Sequence, residues 1–311
     1  MSGNLGSGRL FAILLLLGAG WGLTQPLTKI AVSEGYQPLG LIFWQMVIGA
    51  VFLGALRLAT GKPVTLPLKH LWFFILIALI GTVVPNSFSY KAATHLPGGV
   101  MAIVISLVPI FAFPIALMMG TDRFNWLRLG GLIAGFVGVA FLANPQSLPD
   151  AALVVWIPVA LIAPLCYGFE GNIVAKWGTH GLGPGHVLFG ASVVGALIAL
   201  PLAVVSGQFI DPRTDWNAPE FALVGTSVIH VLVYTGYVWM VGAAGAVFAA
   251  QVSYIVTGTG VVWSMILLAE RYTLWVWAAL ALILAGMFLV QPRQGNPVAE
   301  ADAFGKNGGN R

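Results

Sequence analysis

The sequence has 311 residues, of which 59% are hydrophobic and 8% charged, with a net charge of +4 and a mean hydropathy of +0.92. A soluble domain carries about a quarter of its residues as charges, so this chain cannot cover a water-facing surface, and lipid must be much of its solvent. No basic run points to nucleic acid, and the single cysteine, Cys166, excludes an internal disulfide and a cysteine-based metal site.

In chain order, a short tail (1–9) precedes the first of ten apolar segments, each about 20 residues, long enough to span a bilayer as a helix. The spans are read at roughly 10–32, 38–59, 70–92, 97–119, 124–143, 152–176, 184–206, 219–241, 243–268 and 272–291. The first has no small-residue cleavage site after it and is expected to be retained. Turn residues mark the breaks, as at Gly35-Tyr36-Gln37-Pro38, Asn144-Pro145 and Gly183-Pro184. The longest loop, 208–219, holds Asp211, Arg213 and Asp215. The stretch 292–311 is polar, rich in Gly and Asn, and expected to be a disordered tail. Gly18 and Gly22, and Gly131 and Gly135, read as packing positions where helix backbones approach closely.

The chain is one unit of about 147 residues written twice. Gly22, Pro38, Phe43, Gly49 and Gly61 match Gly168, Pro184, Phe189, Gly195 and Gly207. Tyr90, Gly98, Val100, Ala102 and Ser106 match Tyr237, Gly245, Val247, Ala249 and Ser253. After a one-residue gap, Asp122-Arg123-Phe124 matches Glu270-Arg271-Tyr272, and Gly138 matches Gly286. The repeats are placed at 10–143 and 152–291. With the N-terminus cytoplasmic, Arg9, Arg57, Lys62, Lys69, Arg123, Arg128, Lys176, Arg293, Lys306 and Arg311 lie inside, against Lys29, Lys91, Arg213 and Arg271 outside. That asymmetry predicts both termini cytoplasmic; the expected location is the cell inner (plasma) membrane, crossed several times. Because five is odd, the second copy would enter upside down. The expected fold is therefore all-α, ten transmembrane helices as two inverted five-helix repeats, with a substrate site near the midplane.

Several of these features together resemble the drug/metabolite transporter superfamily, in the form with two EamA domains. They are the doubled set of spans, Trp21-Gly22 followed by Lys29, Pro109 in the fourth span, and the steps Asp122-Arg123 and Glu270-Arg271 with Gly138 and Gly286 sixteen residues on. The resemblance implies a transporter of amino acids or other small metabolites. The chain departs from the family pattern at Thr121-Asp122 and Ala269-Glu270, where Gly-Glu is usual, and at Tyr167-Gly168, where the usual residue is Trp; it adds Glu170.

Polar residues within spans are costly, and by default face a bundle interior or a water-filled cavity. Helical spacing groups them into stripes: Ser227, His230, Tyr234 and Tyr237 in span 8; Thr82, Asn86 and Tyr90 in span 3; Trp21, Gln25 and Thr28 in span 1; Gln251 and Tyr254 in span 9. Trp21, Gln25, Asn86, Tyr90, His230, Tyr234, Tyr237, Gln251 and Tyr254 are the expected substrate-binding residues; interhelical hydrogen bonding without a ligand is the plainer account of any one of them. Glu170 lies about six residues, on the order of 9 Å of rise, from the cytoplasmic end of span 6. It is the expected proton-coupling residue, or else the partner of a substrate amine; Lys176 lies too far round the helix to pair with it. Snorkelling explains Lys29 and Lys91. Asp122-Arg123 and Glu270-Arg271 read as helix-start and loop-orienting charges.

No catalytic residue, metal or cofactor is expected. The expected partners are a small-molecule substrate, lipid, protons as coupling ion and a second copy in a homodimer. A small amphipathic metabolite such as an amino acid, moved in the export direction, fits the stripes, because no arginine lies mid-membrane to hold a phosphate. An organic cation or drug is the alternative, with Glu170 and aromatic rings as partners. An intramembrane protease built on Gly190-Ala191-Ser192-Val193 and His230 is a weaker one.

Overall fold

A computed structural model describes residues 7–144, 146–213, 215–244, 248–249 and 251–290. Most of the two expected tails therefore falls outside the described residues. Among those described the chain is helical, with no strand. Helix α1 runs Ser7–Ala31, and α2 runs Pro38–Ala59 with Pro38 in its first turn, where a missing N–H costs nothing. The third span is three pieces: α3 (Leu71–Ala78), a π-helical turn (Leu79–Val83) and α4 (Val84–Ala93). The fourth is two, α5 (Gly98–Ile105) and α6 (Val108–Met118). Pro109 explains that break: it has no N–H for the Ile105 carbonyl and its ring crowds it. Helix α7 is Trp126–Leu142, capped by the Asn125 side chain, which accepts from Leu127 N at 2.8 Å.

The second half follows with α8 (Trp156–Trp177), α9 (Pro184–Val205), α10 (Ala218–Ala244), α11 (Val252–Leu268) and α12 (Leu274–Val290). Among the described residues, seven helical stretches are long and apolar enough to cross a membrane; α7, α11 and α12 are apolar but only 17 residues each. At 1.5 Å per residue those three rise about 25 Å, short of a hydrocarbon core of about 30 Å. The expected boundary at 242–243 is displaced, since α10 continues to Ala244 and α11 starts only at Val252.

The halves pack reciprocally. Helix α1 lies on α10 and α11, and α8, its counterpart, lies on α4 and α6. Helices α2 and α9 pair with each other, as do α7 and α12. Small residues permit close crossings: a Cβ on either Gly131 or Gly286 would stand 2.6 Å from the other's carbonyl oxygen. Leu16, Trp126, Val205 and Leu274 stand exposed, as a lipid-facing surface requires.

Two charges fasten one end of the bundle. Lys29 Nζ donates to the carbonyls of Ala93 (2.7 Å) and Thr94 (3.3 Å), at the C-terminus of α4. Glu270 accepts from Gly98 N (2.7 Å) and Gly99 N (3.1 Å), the first amides of α5. Each charge complements the helix end it meets. The Tyr272 hydroxyl donates to Glu270 and accepts from Gly99 N at 3.0 Å. Glu270 is thus a helix-start charge for a helix of the other copy. Asp122, its match, pairs instead with Arg128.

Candidate functional site

Between the halves lies a cavity of about 490 Å³. It runs from Thr28 and Ser89, near the end fastened by Lys29, to Thr179 and Pro184, beside the loop between α8 and α9. At the fastened end the fully buried Ala92, Ala93 and Leu96 lie beyond it.

One wall belongs to α1 and α10. Trp21, Gln25 and Thr28 line it at helical spacing, with Thr24 between them. Thr24 donates back to Trp21 O at 2.6 Å and is satisfied within its own helix. His230 and Tyr234 line it from α10; the His230 ring meets Trp21 edge-on at 5.9 Å between centroids and stacks with Tyr234 at 6.4 Å. Tyr237 is not in the lining. It packs behind Trp21 at 6.0 Å and joins an apolar cluster with Leu14 and Met240. Ser227 is also outside, buried and bonded to Leu223 O at 2.7 Å.

The opposite wall belongs to α2, the third span and α8, and is a hydrogen-bonded chain. Tyr167 donates to Asn86 Oδ1 at 3.0 Å; Asn86 Nδ2 donates to Gln45 Oε1 at 2.9 Å; Tyr90 donates to the same oxygen at 2.7 Å. Asn86 and Tyr90 are thereby brought together as their spacing predicts. One turn beyond Tyr167, Glu170 reaches the cavity. Among the described residues it has no hydrogen bond and no cation within 4.0 Å; Lys176 is occupied by Met119 O at 2.9 Å. The Glu170 carboxylate rests on the π-helical turn. A Cβ on Gly81 would stand 2.4 Å from Glu170 Oε1, so any side chain there would push the carboxylate from its place. Such turns often occur at functional sites.

Helix α11 contributes Val252, Ser253 and Val256 to the cavity, which turns Gln251 and Tyr254 away from it. Gln251 is exposed and Tyr254 packs on the main core. Their expected common face assumes one unbroken helix through 243–268, whereas α11 begins after Gln251. Periodicity also passes over Gln45, the one amide of α2, which belongs to no polar stripe on its own helix; Tyr167 stands three residues before Glu170 on one face of α8. Mid-span position alone marks Gln45, and the match to Trp21 marks Tyr167. No hydrogen bond joins Ser192 to His230 among the described residues, so the pair expected of a protease is not assembled. The described wall carries one carboxylate, one imidazole and no lysine or arginine.

The sequence profile of the EamA-like transporter family matches residues 8–144 and, a second time, 154–291. The chain belongs to this family. It is a multi-pass membrane transporter of the drug/metabolite type, with the two-repeat architecture of the family. It is 25% identical over 312 residues to the uncharacterised transporter YvbV of Bacillus subtilis strain 168, covering 96% of this chain and 95% of that one. It is 23% identical over 290 residues to the uncharacterised inner membrane transporter YedA of Escherichia coli K12, covering 91% and 89%. An uncharacterised transporter of Archaeoglobus fulgidus is 23% identical over 284 residues, covering 89% and 97%. A crystal structure aligns with a TM-score of 0.62 at 16% identity, over 91% of this chain and 97% of the other, a likeness of fold.

Proposed function

We propose that this transporter is a secondary carrier of a small amphipathic metabolite, an amino acid being the type, working by alternating access through the cavity between its halves in the export direction. The observation that carries the reading is the composition of that cavity: amides, hydroxyls, aromatic rings and one carboxylate around about 490 Å³, within the size range of small-molecule sites. The lack of lysine or arginine in the described wall disfavours phosphorylated substrates, which need cationic partners at such depth. In this reading residues 10–143 and 152–291 form ten spans as inverted repeats in a plasma membrane, with both termini cytoplasmic. Helices α7, α11 and α12 are the short members. Trp21, Gln25, Asn86, Tyr90, His230 and Tyr234 contact the substrate, while Tyr237 and Tyr254 support it from behind.

Glu170 is the proton-coupling residue in this proposal. Its carboxylate faces the cavity without a cation, so its protonation state responds to whether the cavity holds water or substrate. An ion drives a two-state cycle only through different affinities for the two states. The same unpaired carboxylate supports a second reading, export of organic cations or drugs.

A panel of amino acids, amines and neutral metabolites tested for thermal stabilisation of the purified protein addresses both readings, since a ligand of the native state raises its stability. In liposomes, Glu170→Gln should keep substrate-for-substrate exchange and lose acceleration by a pH gradient. Full gradient-driven uptake by that variant would make Glu170 structural, and stabilisation only by anionic metabolites would refute the substrate class.

A further inference from the structure

The hydrogen-bonded chain on the polar wall has a direction, and its direction leaves one donor over. Tyr167 holds the oxygen of Asn86, so Asn86 turns its nitrogen to Gln45 and meets an oxygen there. Tyr90 donates to that same oxygen. Two donors fill the two lone pairs of Gln45 Oε1. The two N–H groups of Gln45 Nε2 have no partner among the described residues. Gln45 is half-buried in the wall and reaches the cavity. A donor held at such a depth gains from meeting an acceptor and costs free energy when left unmet.

We infer that Gln45 is a specificity-determining residue, whose side-chain N–H groups bind a carbonyl or carboxylate oxygen of the transported molecule. The inference rests on the reading of this cavity as the transport site. It adds to the ligand a feature that Glu170 does not select. The amine lies on the Glu170 side of the cavity, one turn from Tyr167 on α8, while Gln45, across the Asn86 bridge from Tyr167, takes an oxygen. The substrate class is then an amine carrying a carbonyl-type acceptor, as in an amino acid, its amide or its ester, in preference to a simple amine.

Two probes separate the parts: phenethylamine and phenylalaninamide share a ring and an amine, and differ by a carboxamide. Their binding to the purified protein is measured at pH 6, where both are cationic. The wild-type protein should bind the amide about five- to tenfold more tightly, the worth of one hydrogen bond. Gln45→Glu keeps an oxygen for Asn86 and Tyr90 but offers no N–H. Its added charge acts on both probes alike, so the preference should vanish while both still bind. Gln45→Met, which keeps the volume, should lose the preference too, and serves if the glutamate variant does not fold. Equal binding of the probes by the wild type, or a preference that survives both substitutions, overturns the inference and leaves the transport reading standing. Binding of neither probe to the wild type overturns both the inference and the proposed substrate class.

Discussion

The helix that opens each copy, α1 and α8, carries the same step, Trp21-Gly22 and Tyr167-Gly168. In both, the glycine lets a helix of the other copy come close. A Cβ on Gly22 would stand 2.8 Å from Gly260 N, and one on Gly168 would stand 3.1 Å from Ala112 N. In both, the preceding ring lines the cavity. Two residues beyond the glycine the copies part. Thr24 bonds to its own helix, while the matching Glu170 faces the cavity with no ion-pair partner among the described residues and rests on Gly81. Gly81 in turn matches Val228 in the second copy. Duplication thus preserves the crossings that hold the bundle together, and the chemistry sits where the copies have diverged.

Exchanging the two positions is the strongest way to break that comparison. Thr24→Glu combined with Glu170→Thr keeps one carboxylate in the cavity, but moves it to the other copy, where the match of Gly81 is Val228 rather than a glycine. Gradient-driven uptake in liposomes should fall by about tenfold or more, because a charged contact contributes roughly 1.5–3 kcal/mol. Retained uptake would mean that any carboxylate in the cavity suffices.

Gly81→Ala is the next largest. The new methyl falls on Glu170 Oε1, so the carboxylate must move. Displacing a functional group by about 1 Å can cost up to a hundredfold in rate, and a loss of about tenfold in uptake is expected, with the protein still folded. Val228→Ala, the matching change, should leave uptake within about twofold, apart from a small stability loss. If the two behave alike, the π-helical turn has no special role.

Glu270→Gln tests the fastened end. It replaces a charged cap of α5 by a neutral one and should cost about 1 kcal/mol, seen as a lower thermal midpoint. Substrate affinity should hold, since Glu270 lies outside the cavity.

The smallest effect is expected in the loop between α9 and α10. There Arg213, hydrogen-bonded to Asp211, holds its carboxyl down at about 2. A carboxyl lowered on folding stabilises above its ordinary range, and that benefit disappears as pH falls toward 2. Because this pair is exposed to solvent, Arg213→Ala should leave the thermal midpoint at pH 7 unchanged within error. A measurable drop would show that the loop, which covers α2 through the bond from Trp44 Nε1 to Ile210 O (2.9 Å), depends on it.

Much of this molecule was legible from the chain alone. Composition required lipid, apolar length gave the helices, and the repeat paired them. On α1, α4 and α10, spacing named Trp21, Gln25, Asn86, Tyr90, His230 and Tyr234, because a face is a local property of one helix. That logic fails near the start of α11, where Val252, Ser253 and Val256 line the cavity in place of Gln251 and Tyr254. It is also silent about lone residues. Gln45, Asn86 and Tyr167 form one chain across three helices and more than a hundred residues of sequence. Their meeting depends on how the helices rotate and how closely they cross. The absence of a side chain at Gly81 acquires a meaning only once α8 has brought Glu170 against it, and Glu270 finds the amides of Gly98 and Gly99 only when the two copies are joined. Sequence periodicity set which way each side chain points; the packing of one copy on the other decided what it meets.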